Sequence, residues 1–174
     1  MTERENPTQM KKLVYLIDPC HETETHGLGS DLMPYQLGLL AAYSLQFLSS
    51  QIEFEIFKFV PDLEDSYRRR RPWLVAISNY FWNEHLGQQL LKIMRHIDPE
   101  VITVAGGPNY PDLEKEQYQF LKSRRDLDFY VYKDGEVPFF KLISALLQTE
   151  NKDQVKAQCI NSIHSLIDDQ LYRG

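Results

Sequence analysis

The chain has 174 residues, enough for one domain with a sizeable core, and its 43% hydrophobic and 25% charged residues are those of a globular protein. A net charge of −6 argues against a general nucleic-acid binder, no apolar run is long enough to span a bilayer, and the polar start lacks a signal-peptide core. Only Cys20 and Cys159 are present, which excludes an all-cysteine zinc or cluster site within the sequence and fits a reducing cytoplasm better than a disulfide-stapled fold.

Residues 1–11 read as a flexible lead-in. Leu13-Val14-Tyr15-Leu16-Ile17 is a continuous apolar run ending at Asp18-Pro19, expected as a first, central strand. The stretch from Asp18 to Met33 has no apolar periodicity and holds Gly27, Gly29 and Ser30, so it reads as a long loop leaving the carboxyl end of that strand. Within it, His21-Glu22-Thr23-Glu24-Thr25-His26 raises the idea of a metal site, but its spacing is not helical and solvated histidines are the simpler reading.

Pro34 suits the first turn of a helix, and Leu37, Leu40, Ala41, Ser44, Leu45 and Leu48 recur at three and four to give one buried face. Ile52 to Phe59 is a second strand, and Pro61 to Arg71, with its four consecutive arginines, reads as polar linkage with a solvated charge run. Trp73 to Ser78 is a third strand, followed by a helical stripe of Leu86, Leu90, Ile93, Met94 and Ile97. Val101 to Ala105 is a fourth buried strand that runs into Gly106-Gly107-Pro108, where the absence of Cβ atoms permits positive φ and close approach. A short helix over Leu113–Leu121 and a fifth strand, Asp128 to Tyr132, lead to Gly135-Glu136 and a helix with Phe139, Leu142, Ile143 and Leu146 facing inward. Gln148–Gln158 is a polar break, and Ile160 to Leu171 is expected as one or two short extended pieces.

Strand alternating with helix, and strands without strict polar alternation, predict an α/β domain: a three-layer, Rossmann-like (flavodoxin-like) fold. Its mostly parallel five-stranded sheet is expected in the order 2-1-3-4-5 with helices on both faces. The expected organisation is 1–11 as lead-in, 12–148 as the domain, and 149–174 as linker or the start of a connection. Ser78, Gly106-Gly107 and Gly135-Glu136 then converge at the carboxyl edge of the sheet, where ligands sit in such folds. No nucleophile–base pair, phosphate loop or dinucleotide glycine motif is present, so no catalytic set emerges.

The ordered signals Pro34-Tyr35-Gln36-Leu37-Gly38, Ser78-Asn79-Tyr80, Gly106-Gly107-Pro108 and Gly135-Glu136 resemble the cobalamin-binding domain of cobalamin-dependent radical S-adenosylmethionine (SAM) enzymes. The resemblance covers roughly Leu13 to Leu147, and Gly38, Ser78 and Gly106 keep the family's intervals of about forty and about thirty residues. In the wider cobalamin family, Asp-x-His-x-x-Gly supplies the lower cobalt ligand; here Met33 stands at the aspartate and Tyr35 at the histidine. The resemblance therefore implies cobalamin without a histidine ligand, as in the radical SAM relatives. By this likeness Ser78 and Tyr80 would contact the buried dimethylbenzimidazole tail, and Gly106, Gly107 and Pro108 would wall it. Tyr35, Leu37 and Gly38 would lie under the corrin, with Gly135 and Glu136 closing the far side. The resemblance also implies a downstream radical SAM domain carrying a 4Fe-4S cluster and SAM, whose Cys-x-x-x-Cys-x-x-Cys motif this sequence lacks. The alternative readings are a degenerate cobalamin-type fold with a docking role and no cofactor, and a flavodoxin-like enzyme or receiver, for which only Asp18 and Lys133 fit.

Overall fold

The four apolar runs of the sequence form the centre of one sheet. In the computed structural model, which describes residues 10–20, 33–149 and 151–174, β1 (Lys12–Ile17), β3 (Leu74–Ser78), β4 (Ile102–Gly106) and β5 (Phe129–Val131) pair in parallel. β2 (Ile52–Phe57) adds to the outer side of β1 in register Lys12 to Ile52. The central strands are buried on both faces, which is why they read as unbroken apolar runs rather than alternating ones.

The sheet has seven strands in the order β2-β1-β3-β4-β5-β6-β7, so the predicted order 2-1-3-4-5 holds and two strands are added beyond it. β6 (Ile163–Ile167) runs antiparallel to β5, and β7 (Gln170–Arg173) forms a hairpin with β6. Asp168 and Asp169 make that hairpin turn with positive φ, a conformation aspartate tolerates better than most residues. The segment read as linker from 149 onward thus extends the same sheet, and the polar break contains the short helix α6 (Lys152–Lys156), capped by the Asn151 side chain.

α1 (Tyr35–Leu48) and α5 (Glu136–Gln148) cover one face, packing Leu37, Ala41, Leu48, Phe139, Leu142, Ile143 and Leu146 on Val14, Leu16, Ala76 and Val104. α2 (Val60–Arg69), α3 (Glu84–Ile97) and α4 (Glu114–Lys122) cover the other, against Tyr15, Val75, Ile77, Ala105 and Tyr130. α2 lies where polar linkage was expected: Leu63, Ser66 and Tyr67 supply a buried stripe among charges, while Arg68 pairs with Glu64 and Arg70 with Glu53. The expected inward faces hold at Leu37, Ala41, Ser44 and Leu48 of α1 and at Leu90 and Met94 of α3, and differ at their margins. Leu45 of α1 is half-exposed, and Ile93 and Ile97 of α3 are exposed while Gly87 and Leu91 take the inward positions. No helix among the described residues is long and apolar enough to cross a membrane.

Asp128, at the amino end of β5, is the one buried carboxylate among the described residues. Arg95 pairs with it, Lys156 and Lys152 approach at 3.1 and 3.3 Å, and the Thr103 N–H donates to it at 3.0 Å. Burial pushes its carboxyl up, but the three cations and the backbone donor prevail and hold it below the ordinary carboxylate range. This cluster ties α6, and through it the terminal hairpin, to the end of the sheet away from the glycine turn.

Candidate functional site

The carboxyl ends of β3, β4 and β5 open onto a cavity of about 600 Å³ on the α1/α5 side of the sheet. Ala76, Val104 and Val131 form its floor, and Leu37, Leu40 and Phe139 its apolar flank. Of the residues singled out from the sequence, Leu37, Ser78, Tyr80, Gly106, Gly107, Pro108, Gly135 and Glu136 all line it. Tyr35 and Gly38 do not. Tyr35 is exposed at the start of α1, and Gly38 presents bare helix surface on which an added Cβ would meet nothing within 4 Å. The His21–His26 run lies outside the described residues, as does most of the loop predicted to follow β1.

The two glycines of β4 serve different ends. Gly106 shares the cavity-facing side with Ile102 and Val104, and a Cβ there would come within 3.3 Å of the Val131 Cβ. Gly107 has φ +135°, and its missing Cβ faces protein: an added one would sit 2.6 Å from the Asn79 carbonyl oxygen. Gly107 is therefore demanded by the approach of the Asn79 backbone, and the turn is stitched there by Asn79 N–H to the Gly106 carbonyl at 2.6 Å and Asn109 N–H to the Asn79 carbonyl at 3.2 Å. At Gly135, which precedes α5, a Cβ would press on the tip of Leu40 at 2.9 Å, so this glycine lets α1 and α5 close on each other.

Ser78 is not a lone hydroxyl. It donates to Asp18 Oδ1 and accepts from Asn83 Nδ2 at 3.1 Å, while the Asn83 amide oxygen receives the Tyr80 N–H at 2.8 Å. Asp18, at the end of β1, thereby fixes the rotor of Ser78, a role that a single acid after an apolar run does not announce. Tyr80 donates to Gln36 Oε1 on α1 and stacks on Trp82, ring centroids 4.5 Å apart and planes 7° off parallel. That bond spans the mouth of the cavity. Burial, and then the charge of Asp18, push the Tyr80 hydroxyl up, so it stays protonated and a donor. Met33, Tyr35, Phe81 and Trp82 are exposed on the same edge of the sheet, leaving an apolar, aromatic rim.

The lining offers hydroxyls, carboxylates, amides and bare backbone, and no histidine among the described residues belongs to it. His164, the buried imidazole nearest in the sheet, is engaged by the Tyr110 hydroxyl at 3.0 Å, and burial with the neighbouring Arg173 pushes its pKa down to about 4. No group of three or more metal-binding side chains occurs among the described residues. The cavity suits a flat, largely apolar group held beside the sheet, with polar contacts at the carboxyl ends of its strands.

No protein-family model matches the chain. Over 119 residues, 66% of its length, it is 29% identical to the cobalamin-dependent radical SAM methyltransferase TokK of Streptomyces tokunonensis, and it spans 17% of that protein. The fold superposes on the cobalamin-dependent S-adenosylmethionine radical enzyme OxsB with aqua-cobalamin and S-adenosylmethionine bound, at a TM-score of 0.67 and 18% identity, covering 94% of this chain and 22% of that one. The structure of OxsB with aqua-cobalamin alone matches with the same score over 92% of the chain. The family resemblance read from the sequence and the Rossmann-like fold are both borne out.

Proposed function

We propose that this chain is a cobalamin-binding module that presents the corrin to a radical SAM active site built by residues outside this sequence. The observation that carries the reading is the cavity at the ends of β3, β4 and β5. It is apolar on its floor, bare of a side chain at Gly106, and lined by most of the residues on which the sequence resemblance rests.

In this reading the tail of the cofactor inserts between the sheet and the α1/α5 layer. Gly106, Gly107 and Pro108 form its wall, Leu37 and Phe139 exclude water, and Ser78 and Tyr80 meet its polar atoms. With its O–H donated to Asp18 and one acceptor position filled by Asn83, Ser78 keeps one further acceptor position for a ligand. Tyr35 and Gly38, at the start of α1, would meet the macrocycle, and Gly135 with Glu136 would meet the nucleotide linkage. No histidine among the described residues lines the cavity, so none of these would serve as a ligand to a cobalt held there. When bound, the corrin supplies a cobalt centre able to carry and pass on a methyl group; the protein supplies orientation and a dry pocket. The 4Fe-4S cluster and SAM belong to the partner domain.

Gly106→Leu tests this directly, because its side chain would fill the cavity beside Val131 while the fold remains readable by circular dichroism. The wild-type chain retains cobalamin through gel filtration, and the folded variant loses it. Equal retention by both would overturn the assignment of the cavity.

A further inference from the structure

The turn that walls the cavity has little of its own to hold it in place. Gly106 and Gly107 bring no side chains, so the position of Gly106–Pro108 must be imposed by hydrogen bonds to its carbonyls. The Gly106 carbonyl is held by the Asn79 N–H at the end of β3, and the Gly107 carbonyl is held from the far side of the sheet. Tyr130 of β5 is fully buried in the α2–α4 layer, opposite the cavity, and does not line it. Its hydroxyl reaches the end of β4, donates to the Gly107 carbonyl at 2.8 Å and accepts from Asn79 Nδ2 at 3.1 Å. The same amide donates to the Asn109 carbonyl at 2.6 Å. A tyrosine is suited to this place because its ring fills apolar core while its one hydroxyl both donates and accepts. Tyr110 lies flat on the Tyr130 ring, centroids 3.9 Å apart and 16° off parallel, and its own hydroxyl meets His164 Nδ1 on β6. The wall is thus braced, ring on ring, against the strand that the terminal hairpin adds to the sheet.

We propose that Tyr130, acting with Asn79, is a positioning residue that sets the Gly106–Pro108 wall and so governs binding of a ligand whose tail inserts beside that wall. This rests on the cobalamin reading above. The probes are hydroxocobalamin and cobinamide, which share the corrin and differ in the nucleotide tail, titrated by absorbance against wild type, Tyr130→Phe and Asn79→Ala, with thermal unfolding of each. Tyr130→Phe loses the bond to the Gly107 carbonyl, and Asn79→Ala loses those to the Tyr130 hydroxyl and the Asn109 carbonyl; each is expected to weaken hydroxocobalamin roughly tenfold, while the affinity for cobinamide stays within about twofold and the variants remain folded. Amide exchange of residues 106–110 in the ligand-free variants rises above that of the rest of the sheet.

Equal losses for both probes, or no loss for either, would overturn the positioning role. Failure of the wild type to bind hydroxocobalamin would overturn the cobalamin reading itself. In that event the exchange measurement decides the brace alone, and unchanged protection of residues 106–110 rejects it.

Discussion

Replacing Gly107 by alanine should destabilise the protein out of proportion to the single methyl group added. Holding a non-glycine residue at φ +135° costs about 1–3 kcal/mol. The new Cβ would stand 2.6 Å from the Asn79 oxygen and 3.1 Å from its carbonyl carbon and its nitrogen, all backbone atoms that cannot rotate aside. Asn79 must therefore move, weakening its bonds to Gly106 and Asn109, each worth roughly 1 kcal/mol. The sum is about 3–5 kcal/mol, a large share of the roughly 5–15 kcal/mol by which domains of this kind are stable. Urea unfolding of Gly107→Ala followed by circular dichroism, compared with wild type at equal m, reads it. A loss below about 1 kcal/mol would refute the claim that the Asn79 backbone is what demands this glycine.

Gly38→Ala is the matched contrast: nothing among the described residues lies within 4 Å of its Cβ, so urea unfolding should show no loss and up to about 1 kcal/mol of gain from helix propensity. If the corrin rests on that bare surface, the same variant holds hydroxocobalamin more weakly in an absorbance titration. Asp128→Asn should cost about 3–5 kcal/mol, because Arg95, Lys152 and Lys156 are left around a neutral group. Since the folded carboxyl titrates below its unfolded value, its contribution is complete above about pH 4 and is lost as pH falls through the lower folded value; acid unfolding of the variant should lack that steep final phase. His164 acts in a different window. Its folded pKa of about 4 lies below the unfolded value of 6.5, so the unfolded chain binds the extra proton between them. Stability should then fall by on the order of 3 kcal/mol as pH drops across that interval and level off beneath it. Urea midpoints at successive pH values check this, and His164→Gln should flatten the slope.

Much of the fold was legible because its central strands are buried on both faces. Nearly continuous apolar runs satisfy that environment, as at Leu13–Ile17 and Val101–Ala105, where the one buried polar residue, Thr103, has its hydroxyl bonded to Asp126 and Asp128. α2 was not legible: its buried stripe of Leu63, Ser66 and Tyr67 is narrow and sits among arginines and acids whose pairing is local. β6 was read only as an extended piece, because His164 and Ser165 are polar residues made acceptable by partners distant in sequence, the Tyr110 hydroxyl and the Lys156 carbonyl. The same non-locality hid half of the site. Gly106 and Gly135 announce themselves by composition, whereas Asp18, Asn83, Asn79 and Tyr130 matter through bonds spanning from 5 to 65 residues. An asparagine after a strand and a tyrosine inside one carry no local signal of that kind. Tyr35 was placed correctly at the head of α1, but its exposure follows from where the helix begins, which the Pro34 signal alone does not determine.

The most direct measurement is an absorbance titration of the full chain with hydroxocobalamin, followed by gel filtration. A cobalamin module predicts that the corrin chromophore coelutes with the protein in stoichiometric amount, with a base-off spectrum, since the tail would be drawn into the cavity and no histidine among the described residues lines it to take the tail's place. A chromophore that elutes wholly with the small molecules, from a chain shown to be folded, would contradict the account and leave a cobalamin-type scaffold without its cofactor.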